Sequence, residues 1–250
     1  MRTPDPRPRT PPVRTPDPGP RTPINFRIVP VGDCAVSIEF ANEISLEVNS
    51  LVRGLELSLM ERPLHGMVET VPSYRALLVS YDPLLVSMDD LIGALSGLIG
   101  QLRPGHSLPG RRITIPVCYS REFGLDLDAV AERHALPVEE VIRLHTDGDY
   151  LVYFIGFTPG LPYLGGLPGR LAIPRLQSPR AGVPAGSVGI GGDQCVIYPV
   201  ESPGGFHIVG RTPLRLYDPA GDPLVLLRPG DHIRFAPISE KEFEEIKKRG

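Results

Sequence analysis

Apolar residues recur with two different periods along this chain, and the changes of period divide it into elements. Cys34, Val36, Ile38 and Phe40 alternate, which predicts a strand over 34–40 behind a first strand over 26–31. Between 45 and 62 the spacing widens to that of a helix, with Val48, Val52, Leu55 and Leu59 on one face. Alternation returns over 66–72 and 75–81, where Leu77, Val79 and Tyr81 share a side. A second helix is predicted over 88–102. Its stripe is Leu91, Ile92, Leu95, Leu98 and Ile99, and Ser87 with Asp90 marks its start. Residues 24–107 are therefore expected to form an α+β domain, a ferredoxin-like sheet with two helices on one face.

The second half reads differently. RPGHSLPG (103–110) has the composition of a linker. Ile113, Ile115 and Val117 open a strand, helices are predicted near 126–135 and 138–146, and Tyr150 to Phe157 reads as one continuous apolar strand. Short strands follow near 187–191, 195–199, 206–210, 214–217, 224–227 and 232–236. Many short strands between Gly/Pro turns predict a mainly-β, closed domain over 108–238. Ser239 and Glu242 form a capping box for a C-terminal helix within 239–250. Residues 1–23 hold nine prolines and cannot build a core; a disordered or polyproline-like tail is expected, either a docking segment or an extension without a role.

Composition narrows the chemistry. The chain has 250 residues and a net charge of −3. Because the tail alone carries five Arg and two Asp, the remainder is acidic, which argues against a nucleic-acid surface. No apolar run reaches membrane-spanning length and no secretory leader is recognisable, so a cytoplasmic protein is expected. All three lysines lie in the last ten residues, against 23 arginines. A lysine Schiff base and a P-loop are thereby excluded from the body. Cys34, Cys118 and Cys195 are widely spaced and no C-x-x-C or H-E-x-x-H occurs, so no metal site is expected. Cys34 and Cys118 read as small core residues.

The richest segment is 156–213, with thirteen glycines and nine prolines among apolar anchors. Such a segment makes rigid turns that bring backbone close to a ligand. Arg175, Arg180 and Arg211 each stand beside Pro or Gly in it. A guanidinium held there can grip a carboxylate or phosphate, or it can simply pack on the barrel and bond carbonyls. His145, at the end of a predicted helix, can serve as a base or balance the helix dipole. Gln194, Tyr198 and Ser202 can bond an amide. Ser187 lies in G-S-V-G, which does not satisfy the G-x-S-x-G elbow.

Four ordered motifs carry a resemblance: G-F-x-P-G-x-P-Y-L-G-G-L-P (156–168), P-R-x-x-x-P-R (174–180), V-P-A-G-S-V-G-I-x-G (183–192) and S-P-G-G-F-x-I-x-G-R-T-P (202–213). With IPVCY (115–119) and EEVIRLHT (139–146) upstream, the chain resembles the KipI family, the B subunits of 5-oxoprolinase, over about residues 24–238. The family is also called allophanate hydrolase subunit 1. Leu161 stands where Phe is usual, Phe206 where Trp is common, and Cys195-Val196 where Thr-Gly is frequent, the last pair expected in a turn.

The resemblance implies a cyclophilin-like β-barrel and one component of an ATP-dependent lactam hydrolase. It would act with a larger KipA-like partner and a LamB-type partner, converting 5-oxo-L-proline to L-glutamate. ATP with Mg²⁺ would be bound together with the KipA-like partner, this chain helping to hold nucleotide or the activated lactam with its arginines neutralising charge. The chain alone would be inactive. Phosphorylation of the lactam oxygen makes a poor electrophile attackable. His145, Arg175, Arg180 and Arg211 would be the catalytic groups. Phe157, Tyr163, Gln194, Tyr198, Ser202, Gly204, Gly205 and Phe206 would contact substrate. Two alternatives stay open: a protein inhibitor of a sensor histidine kinase, with Phe157, Tyr163 and Phe206 as apolar anchors, or a carboxyltransferase-like component of urea metabolism.

Overall fold

The computed structural model describes residues 24–102 and 110–249. The expectations for the tail and for most of the linker fall outside the described residues. The first unit contains β1 (Arg27–Pro30), β2 (Ala35–Glu39), α1 (Leu46–Glu61), β3 (Met67–Pro72), β4 (Ala76–Tyr81) and α2 (Met88–Ile99). Its sheet has the order β1-β2-β4-β3 with every pair antiparallel. The element order is ββαββα rather than the βαββαβ of a ferredoxin-like unit, and the edge beside β2 is taken by β1.

The alternating residues do what their period predicts. Val36 lies opposite Val79 and Ile38 opposite Leu77, on the face that packs with Val52, Leu55 and Leu59 of α1 and Leu91, Leu95 and Ile99 of α2. Ser45 and Ser87 cap the two helices, their hydroxyls accepting from the N–H groups of Val48 and Asp90. Cys34, expected in this core, is exposed, because the strand begins only at Ala35.

The second unit is a closed barrel built from β5 (Arg112–Cys118), β6 (Tyr150–Ile155), β7 (Pro162–Gly165), β9 (Ser187–Gly191), β10 (Gln194–Ile197), β12 (His207–Arg211) and β13 (His232–Ile238). Closure depends on the seven-residue parallel pairing of β13 with β5, which returns the end of the unit to its first strand. A separate two-stranded ribbon, β8 (Arg180–Val183) with β11 (Ser202–Gly204), lies outside the barrel ladder. Helices α3 (Leu127–His134) and α4 (Val138–Asp147) cover one side. The C-terminal α5 (Glu240–Lys247) has the expected capping box and docks through Phe243, which stacks on Phe123 at 4.3 Å.

Two predicted strands do not form. Residues 214–217 and 224–227 meet only through an isolated bridge, Tyr217 to Val225, and each segment directly follows a proline, Pro213 or Pro223, that cannot donate to a ladder. Leu216 and Leu227 are buried in the barrel core all the same, so their apolar pattern reports burial without a strand. The apolar run from Tyr150 also ends early, at Ile155.

His145 sits inside this core. It is 1% exposed and stacks on Phe235 at 4.6 Å, and its Nδ1 lies 2.8 Å from the Tyr119 hydroxyl. Its Nε2 faces the Cys195 thiol at 3.7 Å. Burial pushes its pKa down to about 3. The ring is therefore neutral at working pH and can neither balance a dipole nor reach substrate; the expectation of a catalytic base is corrected here.

The same burial sets a pH dependence. Between the ordinary value of 6.5 and about 3 the unfolded chain takes up a proton at this residue that the folded chain refuses. Stability should thus fall as pH drops through that window, by about 1.4 kcal/mol per pH unit from this residue. Chemical denaturation between pH 6.5 and 4.5 should show a steeper loss for the native chain than for His145→Gln; parallel slopes would refute the assignment.

Candidate ligand site

Strand alternation places the site on the outer wall of the barrel. Leu164, Cys195, Ile197 and Val209 point inward to the main core. Their neighbours Tyr163, Val196, Tyr198 and Ile208 point outward and form a smaller cluster with Leu161, Val183 and Phe206. The β8–β11 ribbon lies against this cluster through Val183. Between ribbon and wall is a cavity of about 290 Å³. Of the residues named from the sequence, Phe157, Tyr163, Arg175, Tyr198, Gly204, Gly205 and Phe206 line it. Leu161, Pro179, Val196 and Pro203 complete the lining.

Arg175 is the cavity's cation. Its guanidinium lies over the Phe206 ring, 4.4 Å from the centroid, and one Nη donates to the Gln194 side-chain oxygen at 3.2 Å. No ion pair involves it among the described residues, so most of its donor fork is available. The stack requires close approach. Gly191 has no Cβ, and one built there would sit 2.9 Å from the Phe206 ring and 3.0 Å from Cγ of Arg175. A Cβ on Gly204 would overlap the Tyr198 hydroxyl. Phe157, at the mouth, is 66% exposed with φ of 69°, in a tight turn closed by the Thr158 N–H donating to the Gly156 carbonyl at 2.9 Å. A bulky residue with positive φ is strained, and such strain collects at functional sites.

The other two arginines are engaged elsewhere. Arg180 pairs with Asp126 at 2.5 Å, and the second oxygen of Asp126 accepts from the Ile208 N–H at 2.6 Å. That pair straps β8 to the barrel. Arg211 donates its Nε to the Ala185 carbonyl at 2.7 Å. Neither lines the cavity, so the expected cluster of three guanidinium groups is one ligand-facing arginine and two that brace the wall. Ser202 is buried, bonds the Val200 carbonyl at 3.4 Å and also stays out of the cavity.

A family model described as carboxyltransferase domain, subdomain C and D, matches residues 26–227. The 5-oxoprolinase B subunit of Bacillus subtilis is 40% identical over 90% of this chain and 98% of its own length. The chain belongs to the family of 5-oxoprolinase B subunits. The B subunit of Escherichia coli O157:H7 is 39% identical over 84% of this chain and 95% of its own. A solved structure, a conserved uncharacterized protein from Pyrococcus horikoshii, is 45% identical, with 87% of this chain and 100% of that chain covered at a TM-score of 0.53. The Kluyveromyces lactis urea carboxylase shares the fold at a TM-score of 0.77, with 21% identity over 92% of this chain and 23% of that one.

In this member of the family the departures at positions 161 and 206 leave the cavity wall apolar. Cys195 and Val196 lie within β10, as the strand expected near 195–199 requires and not in the turn that the family comparison suggested, with Cys195 turned to the core. The titratable groups at the cavity are Arg175, Tyr163 and Tyr198, and burial raises both tyrosines above their usual range. Neither tyrosine is a base near neutrality. The arrangement can hold a small molecule with an anionic end and a flat, largely apolar body, and can exclude water from it. It does not itself supply a nucleophile.

No group of three His, Cys, Asp or Glu side chains could hold a metal among the described residues, and no described helix is long and apolar enough to cross a membrane. Sequence reasoning missed Asp126. Its signal was weak: a residue at the N-cap of α3 whose carboxylate forms no cap bond and reaches Arg180 instead.

Removing Arg180 leaves the nearly buried Asp126 carboxylate without its cation. Arg180→Ala should lower the unfolding free energy by about 1.5–3 kcal/mol or more, and by more than Arg211→Ala, because the first strands a nearly buried carboxylate and the second leaves only a neutral carbonyl without its donor. Urea titration of the two variants checks the order, and equal losses would contradict the strap.

Proposed function

We propose that this chain is the lactam-binding component of an ATP-dependent 5-oxoprolinase, active only in company with its partner proteins. The observation that carries the reading is the aromatic-walled cavity with one guanidinium, Arg175, that no carboxylate neutralises among the described residues. The substrate, 5-oxo-L-proline, has matching parts: a compact, nearly flat ring and one carboxylate. Arg175 binds the carboxylate through two parallel N–H bonds, and the ring lies against Tyr163, Leu161 and Phe206. The relatives named as B subunits of 5-oxoprolinase support the same direction.

The cavity does not suit Mg²⁺–ATP. It offers one cation against a triphosphate and no carboxylate among its lining residues to hold Mg²⁺. Nucleotide, and the base that activates water, are therefore assigned to the larger KipA-like partner and the LamB-type partner. This chain's part is to bind and orient the lactam and to keep water off the ring. The family model favours a second reading, carboxyl transfer as in urea carboxylase. Dependence of turnover on a biotinylated carrier would select it.

The test is co-expression with both partners, followed by measurement of 5-oxoproline-dependent ATP cleavage. The complex should turn over and the isolated chain should not. Arg175→Ala should lower kcat/KM about 10- to 150-fold, the equivalent of one charge-assisted bond, chiefly through KM. Full activity in that variant, or robust turnover by the chain alone, would refute the reading.

A further inference from the structure

Behind the cavity wall lies an aromatic cluster that joins the two units. Tyr163 faces the cavity and stacks on Phe154, with centroids 4.5 Å apart and planes 16° from parallel. Tyr74 meets both rings edge-on, 4.7 Å from Phe154 and 5.7 Å from Tyr163, and touches Tyr153 at 5.7 Å as well. Edge-to-face contact of this kind fixes the orientation of both partners. Tyr74 is not part of the barrel. It belongs to the turn between β3 and β4 in the N-terminal unit.

That turn is held more firmly than a surface hairpin needs. The Ser73 N–H donates to the Ala76 carbonyl at 2.8 Å and the Phe40 N–H to the Arg75 carbonyl at 3.1 Å. Arg75 reaches across to the Ala41 carbonyl at 2.8 Å. Asn49, on α1, is 1% exposed, and its side-chain amide donates to the carbonyls of Ser73 and Tyr74 at 3.4 and 3.3 Å. A buried amide is tolerated only where it is hydrogen-bonded, and this one is used to grip the residue that carries the Tyr74 ring. The Tyr74 hydroxyl itself is buried and has no hydrogen-bond partner among the described residues. The contacts that tie Tyr74 to the barrel are those of its ring, with Tyr153, Phe154 and Tyr163.

We propose that Tyr74 is a positioning residue: its ring, clamped by Asn49, holds Tyr163 in place and so sets the width of the cavity from the N-terminal unit. Tyr74 does not line the cavity; its ring reaches it through Tyr163, and its hydroxyl also lies within electrostatic range of Arg175. Any partner that displaces the β3–β4 turn would alter the cavity by the same route. The kinetic arm of the test rests on the lactam reading above, and the spectroscopic arm does not.

The full chain labelled with ¹³C at its tyrosine rings gives the first measurement, with the Tyr163 signal assigned through Tyr163→Phe. Tyr74→Leu should shift that signal and speed the ring flip, while Tyr74→Phe should leave it unchanged. Asn49→Ala, which keeps the ring but frees its turn, should produce the same change at smaller size, and serves if Tyr74→Leu does not fold. In the assembled complex Tyr74→Leu should raise KM for 5-oxoproline about tenfold with kcat within about twofold, and Tyr74→Phe should restore the native KM. A Tyr163 signal indifferent to both Tyr74→Leu and Asn49→Ala overturns the proposal, as does an equal KM rise in Tyr74→Leu and Tyr74→Phe. If the complex ignores 5-oxoproline altogether, the lactam reading fails and the Tyr163 signal alone decides the role of Tyr74.

Discussion

A guanidinium held over a phenyl ring is the contact on which the site depends. Arg175 is exposed, and a free arginine there would sample many rotamers. The Phe206 ring beneath it and the Gln194 oxygen beside it remove most of that freedom before any ligand arrives. The stack in turn depends on Gly191, where any side chain would meet Phe206 and Arg175 together. One glycine in β9 is thus tied to the placement of the cavity's cation. Preorganisation of this kind raises affinity by removing an ordering cost rather than by adding contacts.

The barrel supplies the rest by using both faces of the same strands. Inward residues of β7, β10 and β12 fill the core, and outward ones build the cavity wall. That core closes around His145 with Tyr119, Tyr150 and Phe235, and the same close packing backs the outer wall. The β8–β11 ribbon forms the opposing side, strapped by Arg180 and Asp126. The N-terminal unit reaches the barrel through Tyr74, among the aromatic rings, and through Arg53, which bonds the Pro229 carbonyl at 3.2 Å.

Much of this was legible in the sequence where local pattern decides. Period-two runs such as Val36 to Ile38 and Leu77 to Tyr81 gave the sheet, and Ser87 and Ser239 gave their helix starts. The family resemblance pointed to Tyr163, Tyr198 and Phe206 as substrate contacts, and all three line the cavity. What was not legible depends on distant partners. Nothing near Arg180 announces Asp126, and nothing near Arg211 announces the Ala185 carbonyl, so three similar motifs suggested one cluster. Tyr74 lies in a different unit from the rings it touches. His145 could have been read correctly: with Val138, Val141 and Ile142 it continues the apolar stripe of α4, which points to the core. Leu216 and Leu227 show the converse error, an apolar pattern that reflects burial of a loop.

The claim at the centre of this account is that the outer-wall cavity receives the lactam with its carboxylate on Arg175. A crystal structure of the assembled complex with 5-oxoproline bound tests it most directly. The account predicts the ligand's carboxylate within hydrogen-bond distance of the Arg175 guanidinium, and its ring against Tyr163 and Phe206. A lactam bound wholly within a partner protein, with this cavity holding only solvent, would contradict it.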